Sequence, residues 1–194
     1  MDLNRKKAIN LLREYNEEDF HILHGITVGR VMEYFAKEIN EDIEYWGIVG
    51  LLHDIDFEKY PEEHCVKAVE ILRSNDYDNE FINSVISHGY QICSNVEPKK
   101  YMEKILYSVD ELTGIINAAS LMRPSKSYQD MNLKSIKKKF KDKSFAKGCS
   151  RETIKNGADM LEIEIDILLD KTLNALKEKE KIINEEYNVI VDHI

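Results

Sequence analysis

Long apolar runs are missing from this 194-residue sequence. No stretch approaches the ~20 residues that a membrane-spanning helix needs, so no transmembrane segment is expected. Proline is scarce, at three, and glycine modest, at eight. There is no Gly/Ser linker, low-complexity segment or internal repeat, which points to one domain. Sustained apolar/polar alternation, the signature of a half-buried strand, is also absent. The three cysteines, Cys65, Cys93 and Cys149, are odd in number and scattered. No pair has the short spacing of a zinc clip or a redox motif, so reduced structural thiols are expected. Positive charge is in deficit: a net charge of -9 argues against a general nucleic-acid binder and against an anionic membrane surface. The opening MDLNRKKAINLL lacks the apolar core of a signal peptide, so a cytoplasmic location is expected.

What is present is helical periodicity. Leu3 to Tyr15 reads as a first helix, and Asn16 with three following acids marks a break. HILHGITVGRVMEYFAKEI is an amphipathic second helix that puts His24 on one face with Val28, Val31 and Phe35. Asn40 is a plausible N-cap for the helix running through Trp46 to His53. Pro61 can start another helix, and Phe81 to His88 is a short one ending near Gly89. Pro98 opens a long helix closed before Pro124, with Ile105, Val109, Leu112 and Ile116 as its stripe and Asp110 one position off it. Ser150 can cap a short helix reaching Met160. The last helix runs from about residue 162 and offers an apolar face to the body or to a partner. The expected fold class is all-α, a bundle of about seven to nine helices.

Within this pattern WGIVGLLHDID, residues 46–56, is odd. An apolar helix stops on two adjacent metal-capable side chains, His53 and Asp54, with Asp56 close behind. Burying such groups is costly unless something compensates them, and a divalent cation would. Of the six histidines, His21, His24, His53, His64 and His88 precede the long helix, while His193 belongs to the tail. With Asp54 and Asp110, the inward set is His24, His53, His64, His88 and two carboxylates. Mixed imidazole and carboxylate donors suit several divalent ions. No cysteine falls at a matching position, which lowers the case for structural zinc. Such a set is the type that activates water and clamps phosphate oxygens. The plainer reading, satisfied core polar groups, needs a separate hydrogen-bonding reason for each residue.

The order H…HD…D, at His24, His53-Asp54 and Asp110, resembles the HD superfamily of metal-dependent phosphohydrolases. HDID is similar to the HDIG variant, with Asp56 standing where that motif has Gly. WGIVGLLHDIDFEKYPEEH, SVDELTGII and RPSKS with its KKKFKDK run look like a family of bacterial HDIG-domain proteins described as predicted hydrolases, over roughly residues 21–169. The resemblance implies one HD domain with its core at about residues 16–170 and a C-terminal helix. It also implies one or two divalent ions, drawn from Fe, Mn, Zn, Ni, Co or Mg. His24, His53, Asp54 and Asp110 would hold the first. Asp54 would bridge to a second held by His64 and His88. An activated hydroxide would attack phosphorus, with Asp54 and Asp56 counted as catalytic. Asp56 could instead alter the loop or orient a histidine.

The substrate expected is a small phosphorylated metabolite, nucleotides first. The alternative is a metal-bearing nucleotide-binding or regulatory module without turnover, and a nucleic-acid-directed phosphodiesterase is the third reading. Arg123 and Lys126 are the candidate phosphate contacts, joined by one or more of Lys134, Lys137, Lys138, Lys139, Lys141, Lys143 and Lys147. The plain reading of these lysines is a solvated face. Tyr60, Tyr90, Tyr101 and Tyr107 can stack on a base or be ordinary core and rim aromatics. Glu58 and Asp56 are both candidates to position water, and His21 has a solvent-side or supporting role.

Overall fold

The computed structural model describes residues 3–191; His193 lies outside them. Among the described residues are nine α-helices: α1 (Arg5–Tyr15), α2 (Asp19–Glu38), α3 (Ile43–Leu51), α4 (Val66–Ser74), α5 (Asn79–Ile86), α6 (Tyr101–Leu121), α7 (Leu133–Lys141), α8 (Arg151–Met160) and α9 (Ile165–Val191). Two 3-10 turns, Pro61–Glu63 and Ser87–Gly89, interrupt the series, and an isolated Tyr90–Ser94 bridge is the sole strand-like pairing described. The expected all-α bundle is the fold observed. No described helix is long and apolar enough to cross a membrane.

Short polar side chains start most helices by accepting otherwise unpaired backbone N–H groups. Asn4 accepts from Lys7 N, Asp78 from Phe81 N, and Ser150 from Thr153 N. Three expected starts shift. Asp42, not Asn40, caps α3, accepting from Tyr45 N at 2.9 Å. Asn40 has a left-handed φ of 58°, which suits the end of α2 and not the extended conformation of an N-cap. Pro61 opens only a 3-10 turn, and α4 waits until Val66. Pro98 precedes α6 by three residues; there Glu103 accepts from Lys99 N and Lys100 N, both at 2.9 Å.

The middle of α2 is buried on every side: residues 25–29 are all buried, which a one-faced amphipathic helix would not show. α3, α6 and α9 surround it. The apolar face of α9 (Leu168, Leu169, Leu173, Leu176, Ile183) therefore packs on the body of this chain. Its distal half is tied down by ions. Glu186 accepts from Arg5 Nε at 2.7 Å and Arg30 Nε at 3.0 Å, and Glu33 on α2 accepts from both arginines. Burial disfavours the Glu186 carboxylate, but Arg5 and Arg30 outweigh it and hold the group below its usual range.

The α2–α3 contact is the one that positions the site. A Cβ on Gly29 would lie 2.7 Å from Gly47 O and 3.1 Å from Leu51 N, and one on Gly50 would lie 3.0 Å from Gly29 Cα. The backbones meet because neither helix carries a side chain there. This sets His24, five residues before Gly29, against His53, just past the end of α3. Gly29→Ala is expected to destabilise the fold by about 1–3 kcal/mol through overpacking against rigid backbone. Helix propensity alone would give a gain of nearly 1 kcal/mol, so the sign of the shift in a denaturant titration decides between the two effects.

Candidate metal centre

Five separate stretches of chain meet at one point. α2 brings His24, and the turn after α3 brings His53 and Asp54. His64 sits between the Pro61–Glu63 turn and α4, His88 within the Ser87–Gly89 turn, and Asp110 midway along α6. Asn16, buried at the α1–α2 corner, donates to Ile55 O and clamps the His53–Lys59 loop from below.

The six side chains form two groups sharing one residue. In the first, His24 Nε2 lies 3.0 Å from Asp110 Oδ1 and 3.2 Å from His53 Nε2, and His53 Nε2 is 3.3 Å from both Asp110 Oδ1 and Asp54 Oδ2. In the second, Asp54 Oδ1 lies 3.2 Å from His88 Nε2 and 3.5 Å from His64 Nε2, and the two Nε2 atoms are 3.1 Å apart. Asp54 thus turns one oxygen to each group.

Three of these imidazoles have their opposite nitrogen occupied. His53 Nδ1–H donates to Gly50 O at 2.8 Å, His88 Nδ1–H to Val85 O at 2.7 Å, and His64 Nδ1–H to Asp56 Oδ1 at 2.8 Å. In the neutral rings this leaves the Nε2 lone pairs facing inward, against one another and against carboxylates. Lone pairs at such separations repel unless positive charge lies among them. The donor set therefore fits a divalent cation, with orientation fixed from behind in the way metal-bound histidines require. The electrostatics agree. Burial disfavours a charged His53, yet Asp54 and Asp110 raise its pKa well above the ordinary value; burial equally opposes ionisation of Asp110, and His53 and His24 hold it low.

Asp56 is fully buried. Its Oδ1 accepts from His64 and its Oδ2 from Ala68 N at 2.7 Å, so both oxygens are occupied. That corrects its expected catalytic role: Asp56 positions His64 and has no free face for a reacting atom. Its φ is not left-handed, so Asp replaces Gly here without backbone strain. Glu58 is likewise occupied, accepting from Glu17 N, Glu18 N and His21 Nδ1. It holds the residues that lead into α2, with His21 as partner.

Arg123 and Lys126 make no described hydrogen bond or ion pair with the cluster. Leu121, at the end of α6, is already ~16 Å along the helix axis from Asp110. Both residues follow it in a loop that turns back along α6, where Tyr128 Oη donates to Asn117 Oδ1, and Arg123 is paired with Asp130 at 2.7 Å. The structure sorts the lysines differently. Lys137 pairs with Asp166, Lys139 lies over the Phe145 ring, and Lys134, Lys138 and Lys141 line the outer side of α7. Lys143 and Lys147, with Lys155, line a cavity of about 390 Å³ against Cys149. That loop abuts α6 near the cluster: a Cβ on Gly114, one turn past Asp110, would lie 2.8 Å from Cys149 Sγ, and Ser150 N donates to Glu111 Oε2.

Three functional candidates escaped sequence reasoning. Phe20 is 63% exposed and Phe57 41% exposed, both over the cluster. The Phe20 ring lies 5° from parallel to His24 at 6.2 Å, and Phe57 meets His64 edge-on at 5.1 Å. Phe20 was findable, since it precedes His24 by four residues and so shares its face. Glu111, which accepts from Ser150 N beside the cluster, is pushed up to about 7 by burial and by Asp110. Of the four tyrosines, Tyr107 is buried, Tyr101 faces Trp46, and Lys67 sits over Tyr60.

The HD domain family matches residues 22–124, a span carrying all six clustered residues. Ribonuclease Y of Mycoplasma mycoides is 36% identical over 93 residues, covering 45% of this chain and 22% of that protein. The chain therefore spans about a fifth of the length of this curated relative. No solved structure matches.

Proposed function

Since the chain belongs to the HD domain family, we propose that it is a metal-dependent phosphohydrolase acting on a small phosphorylated metabolite, a nucleotide first among them. The observation that carries this reading is Asp54, with one oxygen turned to His24 and His53 and the other to His64 and His88. His24, His53, Asp54 and Asp110 would hold one divalent ion, and Asp54, His64 and His88 a second. When bound, such ions activate water and neutralise charge on phosphoryl oxygens.

The chain supplies the rest. Backbone carbonyls of Gly50 and Val85, with Asp56, keep three imidazoles aimed inward. Phe20 offers an exposed ring for a base to stack on. Phe20→Ala is expected to lower kcat/KM for a nucleotide about tenfold, within the range of a base–aromatic stack. A simple phosphate ester without a base should be hydrolysed as before; an equal loss on both substrates would show that the ring serves folding. Lys143 and Lys147 line the cavity beside Cys149, whose loop packs on α6 near Asp110, and in this reading they gather anionic substrate. Their joint replacement by alanine is expected to raise KM roughly tenfold, the worth of one charge-assisted contact, with bound metal and kcat unchanged.

The direct experiment is to measure bound metal and assay phosphate release from a panel of nucleotides and simple esters. Release from none, together with a tight nucleotide complex that persists on long incubation, favours a binding or regulatory module. The likeness to ribonuclease Y supports a second reading, cleavage of RNA phosphodiesters. Steeply salt-dependent oligonucleotide binding is its signature.

A further inference from the structure

Cys65 and Cys93 are 28 residues apart in sequence, but their Sγ atoms lie 3.0 Å apart, and both are free thiols. The surroundings are built to bring them together. Cys65 is held at a left-handed φ of 67° at the head of α4, a conformation that costs a residue with a Cβ on the order of 1 kcal/mol. Cys93 is folded back in a tight loop in which Ile92 N, Cys93 N and Ser94 N all donate to Gly89 O. The two sulfurs share the space that a side chain on residue 89 would fill: a Cβ there would lie 2.4 Å from Cys93 Sγ and 2.6 Å from Cys65 Sγ. Each thiol also belongs to a segment bearing a cluster histidine. Cys65 follows His64 directly, and Gly89, which anchors the Cys93 loop, follows His88 directly. His64 and the two cysteines offer donor atoms within 4.8 Å of one another.

We propose that Cys65 and Cys93 are a modification site, a dithiol that closes reversibly to a disulfide and thereby weakens ion binding at Asp54, His64 and His88. The second half rests on the metal-site reading above; the first does not. The oxidant is a small-molecule disulfide of the glutathione class. Cys93 is half-buried and Cys65 only 2% exposed, so Cys93 meets the reagent first. Its sulfur attacks, a mixed disulfide forms and one small thiol leaves; Cys65 Sγ then attacks Cys93 Sγ and releases the second. Two protein thiols are oxidised, their two protons and two electrons leave with the two small thiols, and one Sγ–Sγ bond forms. Bonding brings the sulfurs from 3.0 Å to ~2.05 Å, and the adjustment falls on the two segments that carry His64 and His88. Disturbing the orientation of metal-binding histidines lowers metal affinity by ~10–100-fold, as loss of their supporting partners does.

The test incubates the full chain with oxidised glutathione and counts free thiols after denaturation, with intact mass measured in parallel. The thiol count should fall from three to one, with a mass loss of two hydrogens, and recover with dithiothreitol. With Cys149 also replaced by serine, Cys65→Ser should stop at one glutathione on Cys93, and Cys93→Ser should keep its one remaining thiol. Three surviving thiols in the wild type, or an adduct that never closes, overturn the disulfide. Manganese titration of the oxidised and reduced forms then reads the coupling. One weakened step after oxidation supports it, and superimposable titrations overturn it. A reduced protein that binds no manganese defeats the metal-site reading instead, while the thiol count still decides the disulfide.

Discussion

Asp54→Ala is expected to reduce turnover by at least ~1,000-fold, the loss of several kcal/mol of transition-state stabilisation, and to release tightly bound metal. The size follows from position. The other clustered residues each serve one group of donors, whereas the Asp54 carboxylate serves both, at 3.3 Å from His53 and 3.2 Å from His88. Removing it leaves two sets of inward-facing lone pairs with less negative charge to hold a cation between them. Asp54→Asn is the sharper variant, because it keeps shape and volume while removing the charge and half of the acceptor capacity. Metal analysis and phosphate release on the same sample decide the matter. A variant that keeps both full metal content and turnover would falsify the mechanism.

Stripping the ions with a chelator is expected to lower Tm by on the order of 10 °C relative to protein in thousandfold excess of metal over Kd. That is ~4 kcal/mol of linkage, at about 2–4 °C per kcal/mol for a chain of this size. The difference should shrink in acid, and the sign follows from the shifts. Burial works against a charged His64, but Asp56 and Asp54 outweigh it and raise the group from 6.5 to about 10. A raised histidine stabilises the metal-free fold fully below 6.5, and that contribution is lost as pH climbs towards 10. Asp110 is held low, so its contribution is present above its ordinary 3.8 and is lost only in strong acid. Protons therefore stand in for the cation near pH 6, and metal must displace them to bind. Thermal melts with and without chelator should diverge from pH 6 to pH 9. A gap that narrows over that range would count against a histidine-held ion.

The metal-capable residues were legible because their chemistry is carried by residue type and order. A His–Asp doublet at the end of an apolar helix, with His24 before it and Asp110 after, needs no coordinates to be noticed. The helices were legible for a similar reason, since a 3.6-residue period and capping side chains such as Ser150 act over a few residues. Helix starts at Asn40, Pro61 and Pro98 were misplaced because a residue able to begin a helix competes with neighbours that do it better, as Asp42 and Glu103 do.

Supporting roles were hidden. Asp56 looked like a reacting carboxylate until Ala68 N and His64 were seen to occupy both its oxygens. Arg123 looked like a free phosphate ligand until it was seen paired with Asp130. Phe20 and Glu111 drew no attention, because an aromatic or an acid matters here only through what lies across from it.

By itself the sequence determined the class of the fold, the donor atoms and the apolar faces, all of which follow from side-chain chemistry and short-range periodicity. Only the tertiary structure decided which donor atoms lie together, which carboxylates are already paired and which thiols touch. Those depend on how closely two backbones approach, and at Gly29 and Gly89 that distance is set by the absence of a side chain on one residue and the position of another far along the chain. The His24–His53 pair and the Cys65–Cys93 pair both arise in this way, from contacts that no local pattern encodes.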